Sequence, residues 1–136
     1  MRHRLAGALA LAMVSPAGAA ACGDDLPAAG RIALEQGGTT LAFAPRPAPI
    51  AIGRHFSVDV VVCATDKATR RPLVRVDAEM PAHRHGMNYR ATIRAIGGER
   101  YAADGLMFHM PGRWRFIFDL GSGADALRMT HEVDIE

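Results

Sequence analysis

An all-β chain built of antiparallel sheets is what this sequence predicts, and three observations predict it. Apolar residues recur at every second position in several runs. Clusters of Gly, Pro and Asp interrupt those runs at short intervals. Beyond the N-terminus no stretch carries the 3.6-residue apolar period of an amphipathic helix. A period of two means one face turned to a core and one to water, the habit of antiparallel sheets.

The elements follow in order. Residues near Ile32 to Phe43 form a first strand region. Phe56, Val58, Val60 and Val62 share one face of a second, which ends at Cys63. Val74, Val76, Ala78 and Met80 alternate with Arg75, Asp77 and Glu79 in a third. Tyr89, Ala91 and Ile93 give a fourth, joined through Gly97-Gly98 to a fifth carrying Tyr101 and Ala103. Two glycines supply the positive φ angles that a two-residue hairpin loop needs. Trp114, Phe116, Phe118 and Leu120 mark the sixth, and Leu127 to Ile135 the seventh. About seven short strands in some 110 residues predict an immunoglobulin-like sandwich.

Residues 1 to 21 have a different character. Arg2, His3 and Arg4 precede an apolar run from Leu5 to Val14, then Ser15, Pro16 and small residues through Ala21. This is the pattern of a cleaved export signal, and its apolar run is too short for a membrane anchor. The expected organisation is therefore a leader over 1–21 and one domain over 22–136, with no membrane span in the mature chain and a periplasmic or secreted setting. The formal charge of +2 belongs to the leader: without Arg2 and Arg4, basic and acidic side chains balance at 14 each. With no clustered basic run, the domain lacks the electrostatic footprint of a nucleic-acid binder.

Cys22 and Cys63 are the only cysteines. In an oxidising compartment they are expected to pair as a disulfide, tying the mature N-terminus to an internal strand. The competing use of Cys22, directly after the small-residue run, is as a lipoprotein attachment point. Its leader lacks the Leu three residues upstream, where Ala19 stands.

The chemistry concentrates between positions 80 and 110. Beyond the leader the chain has five Met and five His, and four of those Met and three of those His fall in this window. Two Met-Pro junctions, Met80-Pro81 and Met110-Pro111, bound loops where strands must stop for want of a proline N–H. On an extended backbone His83, His85 and Met87 point the same way. If both loops meet at one end of a sandwich, imidazole and thioether groups converge there, and that mixed donor set suits copper, Cu(I) or Cu(II). The candidate ligands are His83, His85 and Met87, with Met80, His109 and Met110 available to complete or exchange coordination. Core packing competes for Met80, Met107 and Met110, and a buried, satisfied histidine competes for His109. His55 and His131 are read as ordinary surface residues.

The stretch from Met80 to Met87, M-P-x-H-x-H-G-M, and that from Phe108 to Trp114, F-x-M-P-G-x-W, resemble the YtkA-like family of small exported bacterial domains. The similarity covers roughly residues 50 to 136. It implies an immunoglobulin-like sandwich in a periplasmic or membrane-anchored setting and says little of activity. More loosely, the ligand types are similar to those of periplasmic copper carriers.

Two functions from different classes are expected to compete. One is an exported copper carrier or chaperone that delivers metal to an envelope protein. The other is a structural or assembly module contacting a larger envelope complex, with the H-x-H loop as a recognition surface. An enzyme is not expected, since no G-x-S-x-G elbow, H-E-x-x-H helix or phosphate-cradling glycine loop is present.

Overall fold

The computed structural model describes residues 18–136, so the leader lies outside the described residues up to position 17. Two antiparallel sheets face each other. Strands β1 (Ile32–Gln36), β2 (Thr39–Arg46), β3 (His55–Ala64), β6 (Thr92–Gly97) and β7 (Arg100–Met107) make the first, in the order β1-β2-β3-β7-β6. Strands β4 (Leu73–Met80), β5 (His85–Gly86), β8 (Gly112–Leu120) and β9 (Leu127–Ile135) make the second, in the order β5-β4-β8-β9. The all-β sandwich expected from the period of two is the fold observed. No helix among the described residues is long and apolar enough to cross a membrane.

Nine strands stand where seven were expected, for two local reasons. The region near Ile32 to Phe43 is a hairpin, with Gln36 opposite Thr39 across Gly37 and Gly38 at φ 55° and 71°. Both central residues need a left-handed backbone in such a turn, which glycine adopts without a Cβ penalty. The other addition is the two-residue β5, pairing His85 with Met80 and Gly86 with Glu79.

Three further expectations are corrected. The face of Val74 is wrong: a register shift between Leu73 and Arg75 buries Leu73 and leaves Val74 50% exposed. Asp104-Gly105, one of the Gly and Asp signals expected to turn the chain, is instead a bulge inside β7, where the register on β3 jumps between Phe56 and Val58. There Ser57 Oγ donates to the Asp104 carboxylate at 2.7 Å. Such a bulge inserts an extra residue and bends the strand. Tyr89 precedes β6 and is 44% exposed rather than paired in a strand.

The core is an aromatic row between the sheets. Phe43 meets Phe118 and Phe116 at 4.8 and 5.4 Å, and Phe56 and Phe108 continue it at 4.9 Å. Trp114 closes the row, stacked on Phe108 at 4.6 Å and wholly buried. A second, smaller cluster of Leu26, Ala42, Ala44 and Val61 lies where the N-terminal segment crosses the first sheet. The Cys22–Cys63 disulfide secures that crossing. A sulfur held in this bond is not free to form a lipid thioether, so the two expected uses of Cys22 exclude each other.

Candidate metal site

The site grows out of two chain stops. β4 ends at Met80 because Pro81 cannot extend the ladder, and the backbone turns back, His83 N–H donating to the Met80 carbonyl at 3.1 Å. Arg84 sits at φ 52°, the one non-glycine residue with a left-handed backbone among the described residues. The expected extended parity of His83 and His85 is therefore not what joins them. A turn with a left-handed Arg84 between them does, leaving the two rings 5.7 Å apart. Holding a non-glycine residue there costs about 1–3 kcal/mol, and such strain concentrates at sites with a task.

The second stop is the crossing from β7 to β8. Phe108 enters the core, His109 and Met110 run along the end of the sandwich, and β8 restarts at Gly112. Gly112 has φ 127°, and a Cβ there would lie 2.8 Å from the Met80 methyl. The two Met-Pro loops thus touch through Met80 and Gly112. Trp114 fastens the crossing by donating its Nε1–H to the Met110 carbonyl at 3.0 Å.

These contacts bring His109 to His85, ring centres 5.2 Å apart, so His83, His85 and His109 form a row. Trp114 stands edge-on to two of them, 6.0 Å from His85 and 5.3 Å from His109. His83 is exposed, while His85 and His109 are half-buried. His85 Nδ1 lies 3.1 Å from the Gly86 carbonyl, and when it donates there Nε2 keeps its lone pair for a ligand. His109 Nδ1 is buried with no hydrogen-bond partner, and it alone has that distinction among the described side-chain nitrogens and oxygens. A buried polar group of this kind costs about 1–3 kcal/mol unless something satisfies it.

The donor set fits a soft ion in part. A metal–nitrogen bond of roughly 2 Å places an ion about 3 Å from a ring centre, so two ligating imidazoles stand up to about 6 Å apart. Both neighbouring pairs in the row lie inside that limit. Among the described residues, however, no three of His, Cys, Asp and Glu gather closely enough to hold one ion. Among the candidate ligands that leaves the thioethers, and they differ. Met80 is 2% exposed and packed in the core. Met87 and Met110 are half-buried and lie at the core margin, nearer to solvent.

The residues that sequence patterns did not single out are Trp114 as the wall of the histidine row, Arg84 as its strained hinge and Gly112 as the seat of Met80. Of the two histidines read as surface residues, His55 is exposed and meets Tyr89 edge-on at 4.8 Å. His131 is half-buried against Phe43 at 5.8 Å, in an apolar cleft between the sheet edges. Comparison with protein-family models, curated proteins and solved structures gives no match, and the resemblance to the YtkA-like family rests on the two Met-Pro motifs alone.

Proposed function

We propose that this chain is an exported copper-binding protein, a periplasmic carrier or chaperone whose cargo is held at the histidine row. The observation that carries the reading is the convergence of His83, His85 and His109 from two separate loops, with a buried His109 nitrogen left without a partner. Imidazole accepts either oxidation state of copper, and nearby thioethers favour Cu(I). Two imidazoles and a thioether from Met87 or Met110 make the ligand set; Met80 would have to leave the core to join it. A site this near the surface lets an incoming protein exchange ligands one at a time, which a carrier requires for release.

The test is a competition titration of the folded domain against a chromophoric Cu(I) chelator, repeated with Cu(II). Trp114 is the only tryptophan, so its emission reports on the ion directly. Wild type is expected to bind one equivalent and quench. His83→Ala/His85→Ala and His109→Ala are each expected to weaken binding at least tenfold. Equal affinity in the double variant overturns the reading.

A second reading is favoured by the absence, among the described residues, of a ready three-residue ligand group and by the core packing of Met80. In it the chain is an assembly module of the cell envelope and the histidine loop a recognition surface. Protein purified from the periplasm would then carry no stoichiometric copper.

A further inference from the structure

Thirteen arginines lie between positions 31 and 128, and ten of them are engaged. Arg46, Arg70, Arg75, Arg94, Arg100, Arg113, Arg115 and Arg128 pair with carboxylates. Arg31 and Arg71 donate to backbone carbonyls. Arg54, Arg84 and Arg90 have neither an ion pair nor a hydrogen bond from the guanidinium among the described residues, and all three are exposed. Far apart in sequence, they share one end of the fold. Arg84 lies between the two loop histidines. Arg90 follows Tyr89, whose ring meets His55 beside Arg54. Gly53 N–H donates to the Phe108 carbonyl at 2.8 Å, tying that third loop to the one carrying His109.

The three loops that build this end, 47–54, 81–91 and 108–111, contain no Asp or Glu. The acids that approach it are already committed: Glu79 and Glu132 to Arg115, and Asp134 to Arg113. Glu136, next to Ile135 opposite Gly112, also reaches this end, where it lines a cleft with Ala48 to Ala51 and is the one acid there without an ion pair among the described residues. A domain with balanced charge overall thus carries a positive excess at this end, three free guanidiniums against Glu136.

We propose that this end of the sandwich docks on an acidic surface of a partner protein. Unpaired charges at a rim steer encounter and fix orientation, and they cost little to carry when exposed. A protein is favoured over an anionic membrane because the face exposes too little apolar surface to insert. Trp114 and Phe108 are buried, and only Tyr89 stands out among the large side chains there. Three separated charges also fall short of the four to eight that mark lipid-headgroup patches. The inference needs no metal, because none of the three arginines is a proposed ligand, so it and the copper reading fail separately.

The experiment uses the folded domain and two probes: a 20-residue polyglutamate peptide, and vesicles of phosphatidylcholine with phosphatidylglycerol. Wild type is expected to bind the peptide at low salt and release it as salt rises. Arg54→Gln/Arg84→Gln/Arg90→Gln is expected to lose at least tenfold in affinity with its melting temperature unchanged. A control with the same charge loss elsewhere, Lys67→Gln/Arg70→Gln/Arg100→Gln, is expected to bind as wild type does. Equal binding by the first variant, equal loss in the control, or no peptide binding by wild type overturns the proposal. Tighter binding to the vesicles than to the peptide, lost in the first variant, overturns it in favour of a membrane.

Discussion

At the far end of the sandwich, opposite the histidines, polar groups have partners. Thr69 N–H is held by the Asp66 carboxylate at 2.9 Å, and buried Thr39 donates to the Thr69 carbonyl at 3.2 Å. Arg71 bridges the Thr69 and Asp125 carbonyls, and Asp119 takes both arms of Arg128 at 2.6 and 2.9 Å. The histidine end is built from the same kinds of residue and leaves them open: a buried imidazole nitrogen, an exposed His83 and three free guanidiniums. Folded chains satisfy buried polar groups almost everywhere, so the single open one among the described residues, His109 Nδ1, marks where an outside group can arrive, and the exposed groups around it remain free to meet that group. One end holds the fold, and the other waits.

The largest test of that division is loss of the staple. Cys22 and Cys63 are 41 residues apart, and releasing such a loop in the unfolded chain is worth about 4 kcal/mol by chain entropy. Cys22→Ser/Cys63→Ser is expected to lower stability in chemical denaturation by up to that amount. His83→Ala/His85→Ala, at exposed or half-buried positions, is expected to stay within about 0.5 kcal/mol of wild type. Comparable losses from the two double variants would break the comparison.

Gly112 sharpens it from the histidine side. Alanine there must adopt a φ of 127° and displace the Met80 methyl, which lies 2.8 Å from the position of the new Cβ. The backbone is the larger difficulty, since the tip of a methionine can move. A loss of about 1–3 kcal/mol is expected, read by denaturation. The Met80 methyl resonance is expected to shift as well. An unperturbed Met80 would mean that the two Met-Pro loops are not in contact.

Much of this was legible in sequence where one residue decides the outcome. Proline after Met80 stops β4, Gly37-Gly38 turns a hairpin, and alternation sorts Phe116 and Phe118 inward, whereas β7 ends at Met107, before the second Met-Pro junction is reached. What stayed hidden depends on neighbours across the sheet. The bulge beside Leu73 reverses the face of Val74, and nothing in that run announces it. The histidine row was anticipated in its members but not in its cause, because a left-handed Arg84 depends on the whole turn rather than on side-chain parity. The free arginines were least visible: positions 54, 84 and 90 look scattered until the loops meet, and a balanced total conceals a one-sided face.

The smallest expected effect concerns acid, and it tests whether the three free arginines take part in holding the fold. At the far end, the hydrogen bond from Arg128 holds the Asp119 carboxyl below its ordinary value, with Arg75 adding a smaller attraction. At the bulge, hydrogen bonds from Arg94 and Ser57 lower Asp104 in the same way. A carboxyl that is more acidic in the folded chain than in the unfolded one stabilises the fold fully above its unfolded value, near pH 4. That contribution disappears as pH falls through the lower, folded value. Both pairs are solvent-screened, so each is worth under about 1 kcal/mol. Thermal melts from pH 6 to pH 2 are therefore expected to show a modest fall beginning below about pH 4, shallower in Asp119→Asn and Asp104→Asn. The Arg54→Gln/Arg84→Gln/Arg90→Gln variant is expected to follow the wild-type acid profile, because no carboxylate depends on those three charges. A flattened profile in that variant would show that the histidine end has hidden acidic partners, and its arginines would then belong to the fold rather than to a partner.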